Sequence, residues 1–294
     1  MSAPTAWLVT GASGQLGTDL QRLLAGADLT ALDRGRLDLT DEAQVRDVVG
    51  RWRDDAVARG ARPVVVNAAA YTAVDAAETD EVTARRVNGE APGWLAEELA
   101  GAGRLVHVST DYVFAGDART PYGVDDEPAP RTAYGRTKLA GERAVAAVGG
   151  DAVVVRTAWV YAAHGSNFVR TMLRLEAERD TVSVVADQTG SPTWSADLAS
   201  GLVELAGTSI GGVLHATGAG ATTWHGFARE VFALSGADPD RVLPLTTAEF
   251  PRPAPRPAWS VLDPAAWQAA GLTSLPAWRE SLRACLAELG ALRP

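Results

Sequence analysis

The chain has 294 residues, of which 47% are hydrophobic and 21% charged, and its formal net charge is −9. This composition excludes a disordered tail, a collagen-like repeat and a polybasic nucleic-acid binder, and it fits a globular protein of one large domain or two modest ones. Of the 27 Lys and Arg residues one is a lysine, Lys138, which leaves 26 arginines. Asparagine occurs only as Asn67, Asn88 and Asn167, and isoleucine only as Ile210. A coding bias that removes such residues wherever a substitute serves makes the surviving positions informative. The single cysteine, Cys285, cannot form an internal disulfide or a Cys-based zinc site, so the chain suits a reducing compartment, and it reads as a small apolar residue of a C-terminal helix. Met1–Ala6 lacks a basic n-region, and no uncharged apolar run reaches the roughly 18 residues of a spanning helix. The sequence therefore reads as cytoplasmic, with no membrane or nucleic-acid partner.

In chain order, short apolar runs at 6–10, 28–32, 63–68, 104–109 and 151–156 predict strands, and amphipathic stretches at 15–26, 41–53, 78–101 and 132–147 predict helices. The runs are apolar at consecutive positions, as in strands covered by helices on both faces. The alternation predicts an α/β protein, a doubly wound parallel sheet of the Rossmann kind, with dinucleotide binding in residues 1–156. A Pro-, Gly- and acid-rich segment at 115–130 reads as a long surface loop of functional interest. Beyond 157 the texture changes to shorter helices, scattered Trp and the proline-dense Phe250–Pro257. That change predicts a smaller substrate-binding lobe over 157–294, with a segment near 182–210 rejoining the first domain and 182–186 returning to the sheet edge.

Between the first strand and helix lies Gly11-Ala12-Ser13-Gly14-Gln15-Leu16-Gly17. Glycines at such a turn let the backbone approach a pyrophosphate, whose charge is met by free N–H groups at the helix N-terminus. Asp33 ends the second strand, where a ribose hydroxyl would be held, but Arg34 and Arg36 follow and suit a 2′-phosphate, so NAD and NADP both stay open. Asp38 and Leu39 would border the adenine. Ala68, Ala69 and Ala70 are small where a cofactor must pass close, or are plain packing in an Ala-rich chain.

Tyr134 and Lys138 are four residues apart in the helix 132–147, which puts phenol and ammonium on one face. A free tyrosine titrates near ~10, and a neighbouring cation is expected to lower that value toward what acid catalysis on a carbonyl needs. The only lysine of the chain falls here, where an arginine fork cannot replace a compact point charge. Ser109-Thr110-Asp111-Tyr112 closes a strand at the edge where such folds place ligands, and a hydroxyl there can bond the same carbonyl oxygen. Asn88 is a candidate for holding a relay water, or an ordinary helix-surface residue.

The glycine turn, Asn67–Asp75, Ser109–Phe114, Tyr134–Glu142, Arg156–Tyr161, Asn167-Phe168, Asp187–Thr193 and Arg256-Pro257 together resemble the dTDP-4-dehydrorhamnose reductases, a family of extended short-chain dehydrogenase/reductases. The likeness runs from about residue 6 to beyond 260. It implies hydride delivery from NADPH, or NADH, to C4 of a keto sugar nucleotide, with Tyr134 protonating the oxyanion. It further implies that Lys138 binds the nicotinamide ribose and depresses the Tyr134 pKa, and that Thr110 orients the C4 oxygen. Asp111, Tyr112 and Trp159 would line the sugar pocket, and Asn167 and Arg256 would contact the sugar nucleotide, a guanidinium fork suiting a diphosphate. Trp194 and Trp224 read as core aromatics. Related 4,6-dehydratases carry Glu after the Thr-Asp pair, where this chain has Tyr112, which disfavours a dehydratase. The family has been associated with Mg²⁺ at a subunit contact, but the sequence shows no convincing ligand cluster; a homodimer is a further expectation, with the oligomeric state left open by the sequence.

Overall fold

The structure, a computed structural model, describes Ala3–Arg293; Met1 and Ser2, which belong to the opening segment read for targeting signals, and Pro294 lie outside it. The chain runs through β1 (Thr5–Thr10), α1 (Gln15–Leu23), β2 (Asp28–Leu32), α2 (Glu42–Ala58), β3 (Arg62–Asn67), α3 (Val74–Ala77) and α4 (Glu81–Arg85). A π turn at Arg86–Glu90 leads to α5 (Ala91–Leu99), β4 (Arg104–Thr110), α6 (Ala133–Val148) and β5 (Ala152–Thr157). The remainder forms β6 (Val160–Tyr161), α7 (Phe168–Glu178), β7 (Val182–Val185), β8 (Thr189–Gly190), β9 (Thr193–Trp194), α8 (Ser195–Ala206) and β10 (Gly212–His215). It closes with β11 (Thr222–Thr223), α9 (Trp224–Leu234), β12 (Val242–Leu245), α10 (Ala265–Ala269) and α11 (Trp278–Glu288).

One six-stranded sheet in the order β10-β5-β4-β3-β1-β2, parallel throughout, organises the molecule. Its strands are apolar on both faces because helices cover both. Val64 and Val66 of β3 pack with Leu16 and Leu20 of α1 and Leu198 and Leu202 of α8. Val65, between them, faces Val45 and Val49 of α2 and Leu95 and Leu99 of α5. A second core, around Phe227, Phe232, Trp278 and Leu282, lies in the C-terminal half and contains Cys285, whose thiol burial pushes up to about 12.

The expected return of 182–186 to the sheet edge does not occur. β7 pairs with β12 in a separate two-stranded sheet, and the strand added beside β5 is β10. Buried Arg104 of β4 fixes that junction: it pairs with Asp151 and donates to the carbonyls of Ile210 at 2.6 Å and Leu205 at 3.3 Å. The helix expected over 78–101 is broken by the π turn, whose extra residue re-aims the chain at Asn88.

Helix α6 carries Tyr134 and Lys138 and is seated unusually close to its neighbours. Thr132 caps it by accepting from the Gly135 amide at 3.0 Å. A Cβ at Gly135 would overlap the Tyr112 carbonyl oxygen, and one at Gly141 would overlap that of Asn88. Each glycine costs the helix about 1 kcal/mol of propensity, and the close seat is what it gains. Gly141→Ala is therefore expected to lower the free energy of unfolding by about 2 kcal/mol in urea titration, despite alanine's better propensity, because backbone rather than a flexible side chain blocks the methyl.

Candidate active site

A cavity of about 710 Å³ opens at the C-terminal ends of β1, β3, β4 and β5. At one end is the glycine turn. Gly11 has φ +67, and a Cβ there would lie 2.8 Å from both Cα and N of Ala69. Gly14 caps α1 without any side-chain bond to the helix, which leaves the first amides of α1 without a side-chain partner, and Ser13, Gln15 and Leu16 line the cavity there. That is the build of an anion seat for a pyrophosphate. Gly17 lies outside the cavity wall and serves packing, since a Cβ there would overlap the Gly11 carbonyl.

Asp33, Asp38, Leu39, Ala68, Ala69 and Ala70 all line the same cavity. The Asp33 carboxylate accepts from the Arg36 amide at 3.1 Å, and the Arg36 guanidinium is turned to the Ala31 carbonyl at 3.0 Å, so Arg34 is the cation left on the wall. Asp38 accepts from both the amide and the hydroxyl of Thr40, which hold its carboxyl below the ordinary range.

Thr110, Asp111, Tyr112, Tyr134, Lys138 and Trp159 converge at the other end. The Thr110 hydroxyl donates to Asp111 Oδ1 at 2.8 Å and accepts the Tyr112 amide at 3.2 Å. Ser109 is not available to a ligand, because it is pinned on Glu142, itself in a buried pair with Arg156. Burial pushes the Tyr134 phenol up to about 12, against the pull of the Thr110 hydroxyl and with the help of the Asp111 charge. The expected lowering of Tyr134 by Lys138 is thus absent. The Lys138 ammonium is 1% exposed, donates to the Val108 carbonyl at 2.6 Å and is itself lowered to about 8 by burial, against the opposing charge of Glu142. Asp111 is raised to about 6 by burial, with the Thr110 and Ser260 hydroxyls opposing.

Three expected contacts are placed elsewhere. Asn167 spends its amide on Ala162 and His164 carbonyls and on capping α7, away from the cavity wall. Arg256 is tied to Asp75 at 2.9 Å and lines a separate cavity of about 150 Å³ that shares Tyr112 with the larger one. Asn88 is 1% exposed and holds both backbone groups of Tyr71 and the Thr137 hydroxyl, so it clamps the 71 loop to α6. Conversely, Trp224, read as a core residue, lines the cavity and stacks on Trp159 with ring centroids 3.6 Å apart. Tyr71 and Thr157, which lie within the segments that carry the family resemblance, also line it, as do Gly165 and Ser166, which no sequence signal marks. Trp159 adopts φ +49, a left-handed conformation that a bulky residue holds only when its surroundings enforce it. Gly190 is part of that enforcement, because a Cβ there would overlap the Trp159 ring.

A glycine-turn cradle that leads to a partly buried phenol beside a lone ammonium defines an oxidoreductase of the Rossmann class. A family model described as the RmlD substrate binding domain matches residues 5–291. The dTDP-4-dehydrorhamnose reductase of Streptomyces griseus is 53% identical over 285 residues, covering 94% of this chain and 91% of the relative. The probable dTDP-4,6-dihydroxy-2-methyloxan-3-one 4-ketoreductase of Streptomyces antibioticus is 51% identical over 282 residues, 94% of this chain and 93% of the relative. The crystal structure of dTDP-4-dehydrorhamnose reductase from Bacillus anthracis in complex with NADP shares the fold with a TM-score of 0.91 at 37% identity, covering 97% of this chain and 99% of that one. The chain belongs to the dTDP-4-dehydrorhamnose reductase family. Among the described residues no three His, Cys, Asp or Glu side chains come together as a metal site would need, and no helix is long and apolar enough to cross a membrane.

Gly190→Ala tests the aromatic wall. Displacing Trp159 is expected to raise the KM for the substrate at least tenfold while leaving nicotinamide dinucleotide affinity, followed by fluorescence titration, within about twofold.

Proposed function

We propose that the chain reduces the C4 keto group of dTDP-4-dehydro-L-rhamnose to give dTDP-L-rhamnose in the cytoplasm, with NADPH as reductant and Tyr134 as proton donor. The observation that carries this reading is the convergence of Thr110, Tyr134 and Lys138 in the cavity that also holds the glycine cradle. The bound reduced nicotinamide would supply the hydride. The chain's own residues do the rest. The amides of α1 and the Gly11–Leu16 turn would hold the pyrophosphate, Ala68–Ala70 would let the dinucleotide pass, and Lys138 would hold the nicotinamide ribose. Arg34 beside Asp33 favours a 2′-phosphate, hence NADPH over NADH, in keeping with the NADP found in the B. anthracis relative.

Thr110 would orient the C4 oxygen, which takes the Tyr134 proton as hydride reaches C4, and the phenolate left behind is restored by a proton from solvent. A phenol held near 12 is fully protonated at neutral pH, so the donor is ready before substrate binds. The stacked pair Trp159–Trp224, with Tyr112 and Asp111, would face the sugar from the C-terminal half. In this division the main sheet, completed by β10 and α8, serves the cofactor, and the lobe around Phe227 and Trp278 serves the sugar nucleotide.

A second reading, 4-keto reduction of another dTDP-deoxysugar, is favoured by the S. antibioticus relative, nearly as similar as the S. griseus one. It would keep every catalytic residue. A noncatalytic sugar-nucleotide-binding subunit would have no use for a Thr–Tyr–Lys cluster gathered in one cavity.

Purified protein is expected to oxidise NADPH only when a dTDP-4-keto-6-deoxysugar is supplied, and NMR of the product identifies the sugar and its C4 configuration. Tyr134→Phe is expected to cut kcat at least 100-fold, the scale of a lost general acid, with NADPH affinity unchanged. Lys138 carries a lowered pKa, so its charge is present below about 8 and lost above it. The kcat/KM profile should therefore fall as pH rises through about 8, and a profile flat to pH 10 would count against the role given to Lys138.

A further inference from the structure

One row of the main sheet breaks its apolar pattern. On the face covered by α2, α5 and α6, Leu8, Val65 and Leu105 are apolar core residues. Two residues further along each strand the row becomes Thr10, Asn67 and His107, which are cross-strand neighbours in register on β1, β3 and β4. All three are buried, at 1%, 0% and 0% exposure. Thr10 reaches the cavity wall while Asn67 and His107 lie behind it, and buried polar groups at such a depth must satisfy one another.

They do so in a line that ends at the lysine. The Ala69 amide donates to Thr10 Oγ1 at 3.4 Å, and the Thr10 hydroxyl donates to Asn67 Oδ1 at 2.6 Å. Asn67 Nδ2 lies 3.0 Å from His107 Nδ1, and His107 Nε2 lies 3.4 Å from Lys138 Nζ. One of the three asparagines and the only lysine of the chain thus sit at opposite sides of one imidazole. Burial and the Lys138 charge both disfavour a proton on that ring, so His107 is held neutral, well below its ordinary pKa.

A neutral imidazole between an amide and an amine has two consistent hydrogen-bond arrangements. With Lys138 charged, Nε2 accepts from the ammonium and Nδ1–H donates to the Asn67 amide oxygen, the amide having turned over so that its Nδ2 donates to Thr10 Oγ1. With Lys138 neutral, Nε2–H donates to the amine and Asn67 Nδ2, in the orientation that keeps Oδ1 on the Thr10 hydroxyl, donates to Nδ1. The added proton resides on Lys138 in the first case. His107 stays neutral in both, its own proton exchanging nitrogens.

We propose that His107 is a positioning residue for Lys138, holding Nζ at the cavity floor in both charge states by reversing the donor direction of the Thr10–Asn67–His107 row. The proposal rests on the reading of Lys138 as the cation of the reductase site. The other groups facing Lys138 are the Val108 carbonyl from β4 and, one turn along α6, Glu142, which is already engaged by Arg156 of β5 and by Ser109. The Tyr134 phenol and Thr110 hydroxyl line the same cavity, but His107 is the side chain within hydrogen-bond reach of Nζ, and its ring can both accept from and donate to the amine.

The sole lysine gives a direct probe, because labelling with [13C]lysine yields one side-chain Cε signal whose pH titration reads Lys138 and needs no turnover. A hydrogen bond to a full charge is worth roughly twice one to a neutral group, so losing the acceptor penalises the ammonium more than the amine. His107→Leu should therefore move the midpoint down by about one pH unit and His107→Gln, whose amide can also turn over, should restore it. In turnover assays His107→Leu should lower kcat at least tenfold, with the KM for the sugar nucleotide within about twofold. Should the leucine variant not fold, imidazole 15N shifts of the native enzyme, assigned with His107→Gln, must show the His107 proton changing nitrogens across the Lys138 titration. An unchanged midpoint in folded His107→Leu, or a fixed tautomer in the native enzyme, would overturn the proposal. Absence of reductase activity alongside the shifted midpoint would instead overturn the enzyme reading and leave this one standing.

Discussion

Placing the Lys138 ammonium in the interior, against a carbonyl and a neutral imidazole, costs free energy that an exposed lysine never incurs. The architecture around it makes that placement possible and keeps it from relaxing. Helix α6 is drawn onto the ends of β4 and the π turn through Gly135 and Gly141, and its first turn is fixed by the Thr132 cap. Asn88, in the π turn, clamps the 71 loop against Thr137 of the same helix. Glu142, one turn beyond Lys138, is committed to Arg156 and Ser109 and does not collapse onto the lysine as a simple ion pair. The result is an amine whose charge is lost only slightly above neutrality, next to a phenol that stays protonated far above it.

A second device holds the opposite wall. Trp159 is the non-glycine residue at positive φ among those described, a conformation costing on the order of 1–3 kcal/mol. Its ring is locked between the space left by Gly190 and the face of Trp224 at the start of α9. Since β6, which follows Trp159, pairs with β9, and α9 belongs to the second core, the strained residue joins the sheet to the C-terminal lobe across the cavity.

Much of this was legible in the sequence because its signals are local. Consecutive valines at 64–66 and 153–155 read as buried strands between helices, and the glycine turn and the sole lysine mark two ends of one cavity. What was not legible depends on distant partners. The four-residue runs Val182–Val185 and Gly212–His215 look alike as strands, and the choice between them is made by Arg104, whose contacts with Ile210 and Leu205 are invisible in the linear chain. Asn167 and Arg256 were read by type and not by prior commitment, the one to a helix cap and the other to Asp75. Four-residue spacing correctly places Tyr134 and Lys138 in one cavity, but it cannot report burial, and burial sets both pKa values in the direction opposite to mutual ion stabilisation.

The central claim is that a compact ammonium, in that buried seat, is what carbonyl reduction in this chain requires. The most direct measurement is the turnover of Lys138→Arg in a chain whose other Lys or Arg positions, 26 of 27, are all arginine. The account predicts a folded protein with kcat reduced at least 100-fold, because the planar fork keeps the charge but cannot occupy the space between His107 Nε2 and the Val108 carbonyl. Turnover within a few-fold of the native enzyme would contradict it.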